Sequence, residues 1–78
     1  MDSLTGDMLL MATHYAVQQD NLALSRVSNY IEKNLDLIPN DVLVEIGEEV
    51  KNVSLESSNY IVSKSISCMI NRELYGVN

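Results

Sequence analysis

Apolar side chains recur every three to four residues along most of this chain, and breaks in that rhythm divide it into four segments. The spacing predicts a first helix over residues 4–19, with Ser3 or Thr5 as its cap and Asp7 near its positive end. Leu4, Met8, Met11 and Tyr15 share one stripe of that helix. Leu10, His14 and Val17 make a second stripe, and Leu9, Ala12 and Ala16 a third. A helix apolar over so much of its girth is either buried on several sides or meets a second chain.

Asp20-Asn21 interrupts the pattern and offers the cap of a helix over 21–34, with Leu24, Val27 and Ile31 inward and Ala23 and Tyr30 beside them. Asn34 ends it. Leu35, Leu37 and Ile38 are then expected to run extended into Pro39, because the residue before a proline is pushed out of the helical region. Asn40 is the expected cap of a third helix over 40–52, with Asp41 in its first turn. Val42, Ile46 and Val50 repeat there every four residues, beside Leu43 and Val53. Gly47 in the middle of that helix costs about 1 kcal/mol against alanine, a reason to expect a neighbouring helix packed closely on it.

A break at Asn52–Ser54 precedes a fourth helix over 55–75, starting at Leu55 or Ser58, with a core stripe of Val62, Ile66, Met69, Ile70 and Leu74. Gly76 is its expected C-terminal cap. Ile66, Cys68 and Ile70 alternate with serines as a strand would, but a lone strand has nothing in this chain to pair with, so 61–70 reads as helix. The whole predicts an all-α protein, a single helical domain over 1–78 built as a small bundle of three to four short helices.

Composition narrows how such a bundle is held. A 78-residue chain buries only about 60% of its unfolded surface, so its stability margin is thin. One cysteine allows no intrachain disulfide, and one histidine leaves too few soft ligands for a zinc site. Helix packing, self-association or a partner must supply the rest. Five basic residues stand against eleven acidic ones, a net charge of −6. That sign disfavours direct contact with nucleic-acid phosphates and with anionic membranes, and steers the chain towards basic surfaces. The apolar run Met8–Ala12 lacks a basic stretch before it and is not expected to be a secretory signal; no run reaches membrane-spanning length. An unpaired cysteine makes the cytoplasm the expected compartment.

Candidate chemistry is sparse. Cys68 and His14 are the only Cys/His combination, on the last and first predicted helices, where a bundle could make them neighbours. Cys68 falls between core positions Ile66 and Met69, where a free thiol acts as a small hydrophobe, so no catalytic residue and no enzyme is expected. His14, between Leu10 and Val17, is expected partly buried with a hydrogen-bond partner. Glu48 and Lys51 should pair along the third helix. Tyr15, Tyr30, Tyr60 and Tyr75 belong at the edge of the core, and Ser57, Ser58, Ser63, Ser65 and Ser67 allow close approach or face water. No phosphate-binding glycine loop, calcium loop or metal spacing occurs, so no cofactor and no metal is expected.

What remains is a surface. Met8, Met11 and Tyr15 are the expected anchors for a protein partner, with Asp41, Glu45 and Glu49, aligned on one row of the third helix, as an acidic rim. The expected function is a small acidic protein-binding regulator or inhibitor whose partner has a basic or amphipathic surface, without direct nucleic-acid or membrane binding. The alternative is a homodimeric structural or assembly protein in which first helices pack on each other, or a small secretion-type chaperone. Small acidic helical proteins of phages and plasmids and bacterial immunity proteins share this size and charge, an analogy of class only.

Overall fold

The hydroxyl of Thr5 accepts the backbone N–H of Met8 at 3.1 Å and so starts the first helix, α1 (Gly6–Ala16). This is seen in a computed structural model that describes residues 5–76; Ser3 and Leu4, the other expected cap and the first member of the expected stripe, lie outside the described residues. Asp20 caps α2 (Asn21–Asn34), its carboxylate accepting from Leu22 at 3.1 Å and Ala23 at 3.3 Å. In α3 (Asn40–Lys51) the cap is Pro39, not Asn40: its carbonyl takes the N–H groups of both Val42 and Leu43 at 3.1 Å, and no side chain takes part. α4 (Tyr60–Tyr75) ends as expected at Gly76, left-handed at φ 69°. Segment 61–70 is helical throughout, and no strand occurs among the described residues.

Three boundaries differ from the sequence expectation, each for a local reason. α1 stops at Ala16 rather than Gln19, because Val17 and Gln18 turn the chain towards the Asp20 cap. Leu35–Leu37 form a 3-10 turn instead of an extended run; only Ile38, directly before Pro39, is extended. α4 begins at Tyr60 rather than Leu55. Ser54 accepts from the N–H of Glu56 and Ser57 from that of Asn59, so serine hydroxyls hold 54–59 in turns that compete with helix.

The helices run up, down, up, down. α1 packs on α2 and α3, and α4 packs on α3 and α2, whereas the diagonal pairs come no closer than 8 Å between Cα atoms. The Cα extents of 31 × 30 × 17 Å are those of two layers of helices. Leu9 and Ala16 of α1, Leu24, Val27 and Ile31 of α2, Leu43, Ile46 and Val50 of α3, and Ile66 and Ile70 of α4 fill the centre, with Ile38 closing one end. The inner stripe expected for α2 is the one buried.

Two glycines define how closely the helices meet. A Cβ on Gly6 would lie 2.7 Å from Cγ2 of Val42, a stiff β-branched side chain, so the start of α1 sits directly against α3. Gly6→Ala is expected to lose about 1 kcal/mol net, overpacking outweighing the helix-propensity gain, and to become stabilising in a Val42→Ala background. Urea unfolding of the two single variants and the double checks this. Gly47 is the opposite case. A methyl there would meet only Cγ2 of Ile70, at an ordinary 3.8 Å, so the close approach expected at Gly47 does not occur.

Candidate protein-interaction surface

The inward face of α1 is built from small and medium side chains. Thr13 is fully buried because its hydroxyl donates to the carbonyl of Leu9 at 2.8 Å, which lets a polar residue share the core with Leu9 and Ala16. With that stripe inward, Met8, Met11 and Tyr15 point outward on successive turns and are 52%, 70% and 64% exposed. Three large apolar side chains on one exposed helical row are more than the scattered surface leucine that any small protein shows. Leu22, Leu37, Val44, Leu55, Ile61 and Tyr75 are also exposed, on other helices and connections.

One flank of α1 meets α3. Gly6 lies against Val42 and His14 bonds Glu49, so the two helices run parallel, with Asp41, Glu45 and Glu49 on the helix that packs against the Gly6–His14 flank of α1. Asp41 and Glu45 are exposed, while Glu49 is half-buried and engaged: its carboxylate holds Nδ1 of His14. Gln18 approaches Nε2 of the same ring at 3.2 Å and donates to the His14 carbonyl at 3.2 Å. His14 therefore has the expected partner but not the expected burial. Its side chain is 65% exposed, because α1 turns that edge past α3 rather than beneath it, and a pair so open to water contributes little to stability.

Cys68 also departs from expectation. The buried stripe of α4 is Ser63, Ile66 and Ile70, which leaves Cys68 on the exposed face. Cys68 and His14 thus stand on the diagonal helices α4 and α1 rather than on neighbouring ones. Tyr15 and Tyr75 are exposed and Tyr30 and Tyr60 half-buried, and the Glu48–Lys51 pair forms at 2.9 Å. Among the described residues no three His, Cys, Asp or Glu side chains come together as a metal site would need, and no helix is long and apolar enough to cross a membrane. A cavity beside Tyr30 and Pro39 holds only about 50 Å³.

The residue that sequence reasoning missed is Asn59. It is 1% exposed and its Nδ2 donates to the carbonyls of Ala16, Val17 and Gln19 at 3.4, 3.2 and 2.8 Å, satisfying the open end of α1. Those partners lie some forty positions away, and an Asn between Ser58 and Tyr60 gives no local sign of them. Comparison with protein-family models, with curated proteins and with solved structures finds nothing that matches this chain.

Proposed function

We propose that the protein is a small acidic regulator or inhibitor that binds another protein through α1, with Met8, Met11 and Tyr15 as anchors and Asp41 and Glu45 as an acidic rim on α3. The exposure of three large apolar side chains on consecutive turns of α1, while its other face completes the core, carries the reading. Methionine adapts to irregular partners and tyrosine joins area to a polar tip, which suits both to an interface centre. The net charge of −6 favours a partner with a basic or amphipathic face, approached faster at low salt.

Affinity capture from cells of the native source tests this with the unaltered chain, a Met11→Lys/Tyr15→Ser double variant and an Ile61→Ser control on α4. The double variant is expected to bind the captured partner about 30-fold more weakly or worse, as loss of anchor residues does, and the control to bind normally. Equal retention by all three chains would remove α1 from the interface. Glu45→Lys should slow association and flatten its salt dependence with little change in dissociation. Sedimentation over a dilution series distinguishes self-association: a dimer abolished by the double variant would make the partner a second copy of the chain.

A further inference from the structure

The five cations of the chain are spread over a strongly acidic molecule, yet two of them line one cavity. It lies between the end of α3 and the first turns of α4, encloses about 180 Å³, and is bounded by Lys51, Lys64, Tyr60, Ser63 and Ser67 over the buried Val50. No carboxylate lines it. Lys64 makes no ion pair among the described residues, and Lys51 reaches only Glu48, one turn back along its own helix.

Ser63 singles this cavity out. It is 3% exposed, and its hydroxyl has no hydrogen-bond partner. Leaving a buried hydroxyl unbonded costs about 1–3 kcal/mol, and a serine at this place in the first turn of α4 has the carbonyl four residues back, that of Asn59, as an acceptor. The cavity also opens on the positive end of a 16-residue helix whose own cap residue is committed elsewhere. Asn59 gives its side chain to α1, so no side chain caps α4. Two ammonium groups and two serine hydroxyls, set beside the positive end of a helix, are a donor set that an oxyanion takes.

We propose that this cavity binds a small tetrahedral oxyanion of the phosphate class, held by Lys51 and Lys64 and oriented by the hydroxyls of Ser63 and Ser67. The anion is either free phosphate or the phosphoryl group of a modified side chain on another protein. The site belongs to α3 and α4 and does not depend on the α1 surface, since α4 lies diagonal to α1.

Amide chemical shifts of the uniformly 15N-labelled full chain, titrated with inorganic phosphate, with N-acetyl-phosphoserine amide and with sodium chloride at matched ionic strength, test it. Saturable shifts confined to the amides of 50–53 and 60–67 are expected with phosphate and not with chloride. Tighter saturation by the phosphoserine amide would place the anion on a partner chain, and tighter saturation by phosphate would make it the free ion. Ser63→Ala is expected to weaken binding about tenfold while leaving thermal stability equal or higher, since it removes an unbonded hydroxyl. Lys64→Gln, an exposed change, should weaken it similarly. Shifts that drift without saturating, that chloride reproduces, or that both variants leave unchanged overturn the proposal.

Discussion

Asn59→Ala is expected to lower the unfolding free energy by about 3 kcal/mol and the melting temperature by more than about 10 °C. The substitution removes one side chain but strips a donor from three carbonyls at the end of α1, of which only that of Ala16 keeps another, the N–H of Gln19 at 3.0 Å. Each lost bond costs about 1 kcal/mol, and more where the carbonyl stays out of water. Asn59 is itself buried, so its removal also leaves a void between α1 and α4. Some of this is offset because Oδ1 of Asn59 has no partner and its desolvation is relieved. Asn59→Asp keeps the volume but sets a carboxylate against carbonyl oxygens, and should cost at least as much at neutral pH. A calorimetric scan in which Asn59→Ala melts with the unaltered chain would show that the three bonds contribute nothing.

Ile46→Ala is expected to be at least as severe, at about 2–5 kcal/mol. Ile46 is fully buried at the middle of α3, the helix that packs on both α1 and α4, so neither neighbour can collapse into the space without leaving the other. A domain of 78 residues has a total stability of about 4–12 kcal/mol, so this one truncation removes a large share of it. Val44→Ala, two positions away on the exposed side of the same helix, should stay within about 0.5 kcal/mol. Urea unfolding of the two variants separates the faces of α3; equal losses would mean that the face assigned to the core is wrong.

The two helices differ instructively in how far the sequence foretold them. In α2, Leu24, Val27 and Ile31 form one apolar stripe against polar neighbours, and Asp20 is a strong cap, so period and boundary agree. In α1 three stripes are apolar, and periodicity cannot choose among them. The choice falls on Leu9, Thr13 and Ala16 because Thr13 hides its hydroxyl in its own helix and Gly6 lets α1 close on Val42. Neither contact has a signature in hydrophobic spacing. The same limit hid the roles of Asn59 and Ser63, which depend on residues from other elements, and reversed Cys68, whose apolar neighbours in sequence are not its neighbours in space. For the candidate surface, the sequence identified Met8, Met11 and Tyr15 as a shared row, but only the packing of the opposite face shows that the row is open to water.

The long reach of Asn59 also bears on the order of events as the chain folds. Its shortest bond, to the carbonyl of Gln19, spans 40 positions, and closing a loop of that size costs chain entropy that no local contact offsets early on. The α1–α2 and α3–α4 hairpins each lack this clasp, which is therefore expected to close in the final docking of one hairpin on the other. A bond made after the rate-limiting barrier slows escape from the native state and leaves the speed of reaching it nearly unchanged. Asn59 then sets the lifetime of the folded molecule, and a variant lacking it should assemble at the normal pace and come apart sooner.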